Sequence, residues 1–326
     1  MIAPFTIVAF IGYAVGCMVY VYRFRGRTRF ASFSEYRRKG WFVFAPLNCL
    51  LYLFTEKRAR RSIIDLAEFP ELVEIQRNWE TIRDEAVELY RQGYFEKTNE
   101  AGSAAYYDVG FRTFYKYGWS KFYLKWYGAT HASASRYCPK TVAILSGVPS
   151  VNGAMFSLLR VGSKLTRHLD PVACSLRYHL GLVTPGVDTC FIDIDGQRYS
   201  WRDGDALLFD ETYLHFAKND SDTYRLILMC DVERPLHVVG RGVNVVYKAL
   251  MRQTVVPNLE GDKRGLINRI FAFVSPVTQR VRRLKSTNRP LYRIVSFSLN
   301  SLMIAAALGV VTGVLYIVIQ LAEEIT

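Results

Sequence analysis

The feature that most constrains this fold is a series of short apolar stretches between residues 142 and 235, divided by turn signals such as Asp195-Gly196. We predict strands at residues 154–161, 175–183, 206–209 and 224–232, with a hairpin over residues 191–201. Evenly spaced short strands favour a double-stranded β-helix, a cupin-like jelly-roll, over another antiparallel sandwich. The expected fold class is α+β, mainly β, with flanking helices.

A helical pattern precedes these strands. Phe69-Pro70-Glu71 places a proline where helices commonly begin. Apolar residues then recur three or four positions apart, at Leu72, Ile75, Trp79, Ile82, Ala86 and Leu89. We predict one continuous amphipathic helix that packs against the strands, followed by a less regular aromatic region at residues 106–127.

Within the predicted strand 175–183, side chains alternate between two faces. One face carries apolar residues, whereas Arg177 and His179 lie on the other. Because an unpaired buried charge is costly, this second face must either line a polar cavity or lie on the solvated outside of the sheet. The alternation by itself leaves both possibilities open.

A His-x-Asp pair stands just before that strand. In an extended chain, residues two apart point the same way, so His168 and Asp170 can bind one metal ion. His215 follows the predicted strand 206–209. Two histidines and one carboxylate on one side of an ion form a ligand set typical of non-haem Fe(II). The six cysteines have no ligand spacing, which disfavours zinc and indicates free thiols in a reducing compartment.

Both ends of the chain have the composition of membrane segments. Residues 2–22 and 294–322 are uncharged, and as helices both are long enough to cross a bilayer. We therefore predict transmembrane helices at residues 1–22 and 294–322. Basic flanks at residues 23–61 and 263–293 carry much of the net charge of +13. By the positive-inside rule, the body at residues 62–262 lies in the cytoplasm and both termini lie outside.

Residues 41–55 are also uncharged, but they are too few to span a bilayer. Pro46 and Asn48 interrupt them, so we expect a re-entrant or interfacial segment, with a buried core helix as the alternative. The basic flanks are typical of solvated or topogenic segments that attract anionic lipid head groups. Nucleic-acid binding would need a basic, aromatic-rich module, and the aromatic residues of this sequence are more simply explained as core. We therefore expect no nucleic-acid partner.

Four stretches in the same order carry a resemblance to a known family: HLDP, SLRYHLGLVTP, WRDGDALLFDETYLHFAKN and YRLILMCDVERP. Together they resemble the aspartyl/asparaginyl β-hydroxylases, a family of 2-oxoglutarate oxygenases. Within that family, the whole chain is similar to the bacterial lipid A 2-hydroxylases, including its APLNCLLYLF segment and its FPEL and NWETIRDEA stretches.

The resemblance implies two sets of site residues. The expected ligands of Fe(II) are His168, Asp170 and His215. The residues expected to bind 2-oxoglutarate are Arg225, which would pair with its C5 carboxylate, and Arg177, His179 and Ser157. For Ser157, a purely structural hydroxyl is the alternative.

The implied reaction consumes O2 and 2-oxoglutarate and hydroxylates C2 of a secondary fatty acyl chain of lipid A or of its Kdo-lipid A precursor. It would take place at the cytoplasmic face of a bacterial inner membrane, with the catalytic domain at residues 62–262 and both termini periplasmic. Two alternatives remain open. One is an aspartyl/asparaginyl β-hydroxylase that acts on a protein, and the other is a non-catalytic jelly-roll membrane protein that only binds a ligand.

Overall fold

The computed structural model describes residues 2–111 and 118–298. Met1–Asn268 form one compact unit, and the chain from Arg269 onward forms a second. Every residue predicted for the site lies in the first unit.

Two antiparallel sheets build the core of the first unit. Their strands are β1 (Ile63–Ile64), β2 (Trp119–Trp126), β3 (Ala129–Thr130), β4 (Val151–Leu159), β5 (Lys164–His168), β6 (Ser175–Val183), β7 (Cys190–Ile194), β8 (Gln197–Ser200), β9 (Ala206–Phe209), β10 (His215–Asn219) and β11 (Arg225–Glu233).

The order of these strands defines the architecture. The larger sheet has the order β1-β9-β6-β11-β4-β2-β3, and the smaller sheet has the order β5-β10-β7-β8. All the neighbouring pairs are antiparallel. From β4 to β11 the chain alternates between the two sheets, apart from the β7–β8 hairpin. This is the strand order of a jelly-roll, as the spacing of the turns predicts.

The predicted strands 175–183 and 206–209 coincide with β6 and β9. Those at 154–161 and 224–232 correspond to β4 and β11 with ends displaced by one to three residues. The predicted hairpin is formed by β7 and β8 and turns at Asp195, which adopts a φ of 53°, and Gly196. In contrast, β2, β5 and β10 lie outside the predicted strands, and β2 occupies part of the region expected to be irregular.

The two faces of β6 pack against different parts of the unit. Its apolar side chains, such as Tyr178 and Leu180, join a cluster with the helices beside the larger sheet. Arg177 and His179 are 7% and 5% exposed and lie on the opposite face, which borders a second apolar cluster formed between the two sheets. The polar face of β6 therefore lines the interior of the jelly-roll and does not face solvent.

Helices flank the sheets. They are α1 (Ile2–Arg23), α2 (Phe33–Lys39), α3 (Ala45–Phe54), α4 (Val73–Arg77), α5 (Trp79–Arg91), α6 (Tyr94–Lys97), α7 (Ala132–Tyr137), α8 (Pro139–Ser146) and α9 (Val238–Arg252). The helix α10 (Leu266–Thr287) continues into the second unit, where residues 289–298 are also helical.

The prediction of one continuous helix after Phe69 is wrong, because the chain forms a 3-10 turn at Pro70–Leu72 and then two helices that meet at Asn78. The Asn78 amide donates to the backbone carbonyl and to a carboxylate oxygen of Glu74, each at 2.8 Å. A side-chain amide that competes for the helical carbonyl in this way ends α4 and lets α5 begin in a new direction.

Two predicted membrane segments fall on described helices. The predicted N-terminal span corresponds to α1, and the uncharged segment 41–55 contains α3, which packs against α1 and α9. Among residues 2–111 and 118–298, no helix combines the length and the apolarity that crossing a bilayer requires. The structure thus gives no support to the span at residues 1–22. The span predicted at residues 294–322 lies outside the described residues, apart from 294–298.

Candidate metal centre

His168 and His215 meet across two paired strands. His168 is the last residue of β5 and His215 is the first residue of β10, and the two are direct partners in the antiparallel register. Their ring centroids are 4.3 Å apart. Because directly opposed residues of an antiparallel pair project from the same face of the sheet, the pairing of β5 with β10 brings the two imidazoles together.

The same kind of hydrogen bond orients both rings. Nδ1 of His168 lies 2.8 Å from the carbonyl oxygen of Thr166, and Nδ1 of His215 lies 2.9 Å from that of Tyr213. A carbonyl oxygen only accepts, so each Nδ1 carries a proton and Nε2 is the ring nitrogen left for a metal ion. Burial lowers the pKa of His215 to about 4. A neutral imidazole with a free Nε2 is the form that binds metal ions.

Asp170 completes the group of three donors. One of its carboxylate oxygens lies 3.3 Å from Nε2 of His168, and one donor atom from each of Asp170, His168 and His215 lies within 4.8 Å of the other two. Burial raises the pKa of Asp170, but the adjacent His168 ring and the positive charge of Arg177 hold it well below its usual range. One carboxylate and two imidazoles on one side fit Fe(II), with positions left for further ligands.

The loop that carries Asp170 is fixed from two sides. The Asp170 N–H donates to the carbonyl oxygen of Glu211 at 2.9 Å. From α3, the Asn48 amide donates to the carbonyl oxygen of Pro171 at 3.0 Å and accepts from the N–H of Ala173 at 2.9 Å. A polar residue in the otherwise apolar α3 therefore positions a candidate metal ligand. The composition of α3 does not indicate this role.

The guanidinium of Arg177 lies among three carboxyl groups. Its guanidinium donates to Glu211 at 2.6 Å, to Asp231 at 2.5 Å and to Asp170 at 3.0 Å. Two buried carboxyl groups, of Glu211 and Asp231, and the half-buried carboxyl group of Asp170 therefore surround one guanidinium. Burial raises the pKa of Glu211 well above its ordinary value. Arg177 thus orients Asp170, and its expected part in binding 2-oxoglutarate stays a prediction.

A row of rings leads from the metal donors to Arg225. The centroid of His215 lies 5.9 Å from that of Phe209, and Phe209 lies 5.1 Å from His179. His179 in turn lies 6.1 Å from Trp201, and the Arg225 guanidinium lies 4.5 Å from the Trp201 ring. The interior between the two sheets therefore connects the candidate metal site with a buried cation.

Polar atoms without partners follow this row. Nε and Nη1 of Arg225, Nδ1 of His179 and Nε1 of Trp201 are buried and have no hydrogen-bond partner in the part of the chain that the structure describes. Nη2 of Arg225 lies 3.2 Å from the Ser157 hydroxyl, which is its only side-chain acceptor among those residues. Burial lowers the pKa of Arg225 to about 10.

Such a set of donors has a clear chemical meaning. A guanidinium kept from water without a counter-charge costs free energy unless an anion joins it. A carboxylate matches the two unpartnered nitrogens of Arg225 in a bidentate pair. The residues present therefore fit both groups that the resemblance implies, a divalent metal at His168, Asp170 and His215 and a dicarboxylate that reaches Arg225.

Of the predicted site residues, the structure places His168, Asp170 and His215 in one group, and Ser157, His179 and Arg225 along the interior beyond it. The sequence prediction does not include Asn48, Glu211, Asp231 or Trp201. Asp231 carries a signal that could have identified it, because it is an acid within the apolar strand β11. It is also the direct register partner of Arg177.

Comparison with known proteins identifies relatives of part of this chain. A sequence profile of the Aspartyl/Asparaginyl beta-hydroxylase family matches residues 76–235. The chain is 32% identical over 183 residues to an ornithine lipid ester-linked acyl 2-hydroxylase of Rhizobium tropici, which is 56% of this chain and 64% of that protein. It is 31% identical over 179 residues to a human aspartyl/asparaginyl beta-hydroxylase, over 51% of this chain and 22% of that protein.

The matches thus span less than two thirds of the rhizobial protein and about a fifth of the human one. Among solved structures, a predicted oxalate decarboxylase of Thermotoga maritima is similar over 35% of this chain and 80% of that chain, with a TM-score of 0.24 and 13% identity. The profile match includes the three metal donors and Arg225. Over residues 76–235, this chain is therefore similar to the aspartyl/asparaginyl β-hydroxylase family.

Proposed function

We propose that this protein is an Fe(II)- and 2-oxoglutarate-dependent hydroxylase that acts on C2 of a fatty acyl chain in a lipid. The observation that carries the proposal is the pairing of a two-histidine, one-carboxylate group with a buried arginine that has no counter-charge among the described residues. A metal site alone fits many activities, whereas the unpaired Arg225 adds the requirement for an anionic co-substrate.

The chain's own residues bind and orient the reactants. His168, Asp170 and His215 would hold the metal, and Arg225 would pair with the far carboxylate of 2-oxoglutarate. Bound Fe(II) supplies the redox chemistry that joins the oxidation of 2-oxoglutarate to succinate and CO2 with the insertion of one O2 oxygen into a C–H bond. Phe209, Trp201 and the apolar residues between the sheets exclude water from this chemistry.

The similarity to a protein named an acyl 2-hydroxylase of an ornithine lipid supports a lipid as substrate. Within lipids, we propose the secondary acyl chain of lipid A or its Kdo-lipid A precursor, on the resemblance of the whole chain to enzymes that act there. The apolar ends and their basic flanks support attachment to the inner membrane of a bacterium, with the catalytic domain cytoplasmic and both termini periplasmic.

The test compares lipids and turnover in the same strains. Lipid A is extracted from cells with and without the gene, and from cells that carry His168→Ala or the matched control His237→Ala, whose histidine is exposed and outside the site. We expect the species with one added oxygen only with the native protein and the control. The same two variants, purified, should respectively lose and keep succinate formation from 2-oxoglutarate.

Two outcomes would contradict the proposal. Unchanged lipid A together with a hydroxylated Asp or Asn in a cellular protein would assign a protein substrate. Succinate formation that survives His168→Ala would contradict the metal site itself.

A further inference from the structure

A second cavity lies apart from the row of rings described above. It has a volume of about 600 Å³, within the range of pockets that hold small organic ligands. Its walls come from α1, from α3 and from the loop between β9 and β10. None of the metal donors lines it, so the proposed reaction leaves this space without a role.

One side of this cavity is largely apolar. Tyr13, Cys17 and Tyr20 of α1 face Tyr52 and Leu53 of α3 across it. Cys17 is buried, whereas Leu53 is 71% exposed and marks the rim. An apolar space that two helices line, with an exposed aliphatic residue at its rim, suits a hydrocarbon chain.

The cavity is also lined by positive charge. Among the described residues, Arg25, Arg60 and Arg234 line it together with one acid, Asp210. Arg25 and Arg234 share that acid, at 2.8 and 2.7 Å, and their side chains are 8% and 1% exposed. Nε of Arg25 and of Arg234 has no hydrogen-bond partner within the described ranges. Three guanidinium groups and one carboxylate leave an excess of positive charge that favours an anion.

The surroundings of the cavity indicate where such a ligand would come from. Beyond its rim, α1 exposes Phe10, Ile11, Val15 and Val19, and apolar helix faces of this kind are typical of contact with lipid. Two wall residues, Asp210 and Tyr213, belong to the loop that ends at His215. The cavity therefore borders both an apolar surface and the segment that carries a candidate metal ligand.

We propose that this cavity binds an anionic amphiphile, with the acyl chain between α1 and α3 and the anionic head group at Arg25 and Arg234. Identification of this ligand as the lipid that is hydroxylated rests on the proposed function, whereas binding itself does not. An apolar space alone would not select an anion, and a basic patch alone would not need a cavity of this size.

Two glycines of α1 provide a matched pair of variants. A Cβ placed on Gly16 or on Gly12 meets no heavy atom within 4 Å, yet only Gly16 lines the cavity. Gly16→Phe should fill the space, whereas Gly12→Phe adds the same ring to the same helix elsewhere. The probe is a dansyl-labelled fatty acid, titrated into the full chain in a neutral detergent.

We expect Gly16→Phe to weaken probe binding at least about tenfold and Gly12→Phe to leave it within about twofold. The smaller Gly16→Leu should give an intermediate loss, which guards against a variant that fails to fold. A dansyl-labelled fatty amine should bind the native chain at least about tenfold more weakly than the acid. Equal binding by all three variants, or displacement of the acid by inorganic phosphate alone, would overturn the proposal.

The outcome is separable from the proposed function. Stabilisation of the chain by Mn²⁺ with 2-oxoglutarate reports on the metal site and should survive Gly16→Phe. If Mn²⁺ with 2-oxoglutarate does not stabilise the native chain, the proposed hydroxylase function is contradicted. If only probe binding is absent, only the proposed ligand of the cavity is contradicted.

The helix α9 exposes an apolar stripe to the outside. Its apolar side chains Val238, Val239, Val245, Val246 and Leu250 are 53–77% exposed. At 100° per residue they fall on one side of the helix, while Gly240 and Asn244 on the other side are buried. Arg241, Lys248 and Arg252 follow one edge of the apolar side, and the helix contains no acid.

This arrangement is inverted relative to a helix packed on a soluble body, whose polar side faces water. An outward apolar stripe flanked by cations is typical of helices that lie at the surface of an anionic bilayer. We infer that the outer side of α9 rests on such a surface. The positive edge supplies the charge complementarity that an apolar protein partner would not require.

The test uses nanodiscs of phosphatidylglycerol and of phosphatidylcholine. A polarity-sensitive NBD label is attached at Val246→Cys and, as a control, at Val187→Cys. Val187 is an exposed valine that follows the C-terminal end of β6, which is the end of that strand farther from α9. We expect the label at 246 to shift to the blue and to be shielded from iodide in phosphatidylglycerol discs, less so in phosphatidylcholine discs. Equal iodide access for both labels in both discs would contradict the inference.

Discussion

Replacing Arg225 with methionine removes a guanidinium that is fully buried and has no acidic partner among the described residues. Burial lowers the pKa of Arg225 from 12.5 to about 10, and each pKa unit corresponds to about 1.4 kcal/mol. Keeping this cation inside the fold therefore costs roughly 3 kcal/mol. The Ser157 hydrogen bond and the Trp201 ring return about 1 kcal/mol each.

The Arg225→Met variant without co-substrate should therefore be as stable as the native protein, or up to about 1 kcal/mol more stable. Its affinity for 2-oxoglutarate should fall by about 2 to 5 kcal/mol, roughly 30-fold to several thousand-fold, because a buried bidentate partner is lost. Thermal unfolding of the full chain with Mn²⁺, with and without 2-oxoglutarate, measures both effects. The native protein should gain stability with 2-oxoglutarate and the variant should not.

Arg234→Met is the matched control. Arg234 is equally buried, but it is paired with Asp210 at 2.7 Å. Because Asp210 keeps Arg25 as a partner at 2.8 Å, the loss of Arg234 should cost about 1–3 kcal/mol. If Arg225→Met were destabilised to the same degree and 2-oxoglutarate still stabilised it, Arg225 would be a structural residue and the reasoning would be refuted.

Two further variants test the supports of the site. Asn48→Ala removes both side-chain bonds to the loop after Asp170, so it should cost about 1–3 kcal/mol of stability and weaken Mn²⁺ binding about tenfold; thermal unfolding and metal titration measure these losses. Although burial raises the pKa of Asp210, Arg234 and Arg25 lower it to about 2. The ionised Asp210 thus contributes about 2 kcal/mol to the free energy of unfolding. This contribution is complete above pH 4 and disappears as the pH falls through 2. The stability gap between the native protein and Asp210→Asn should accordingly narrow between pH 5 and pH 2 in urea unfolding, and a gap that does not change with pH would contradict this assignment.

The jelly-roll could be predicted because its strands follow a simple period. In β6, apolar and polar residues alternate strictly, and β9 is a short apolar run between turn residues. In β2, by contrast, aromatic residues occupy both faces and nearly every position is buried, so alternation is absent. For β5 and β10, the pairing that brings His168 opposite His215 depends on register across the smaller sheet, which a local pattern does not contain.

The candidate site was predictable where chemistry is local and not where it depends on tertiary contacts. The spacing of His168 and Asp170 allows a shared ligand position, which the structure shows. The partners of Arg177 could not be predicted in this way, because Glu211 and Asp231 reach it from a loop and from a neighbouring strand. Basic residues near the N-terminus also have a structural role, since Arg25 is buried against Asp210 and between the rings of Tyr52 and Tyr213.

The most direct test of the whole account is calorimetric titration of the full chain with Mn²⁺, a redox-inert substitute for Fe(II). The native protein and His237→Ala should bind one ion per chain, while Asp170→Ala and His215→Ala should each lose at least about 100-fold in affinity. Binding that is the same in all four proteins would contradict the central claim that these side chains form one metal site.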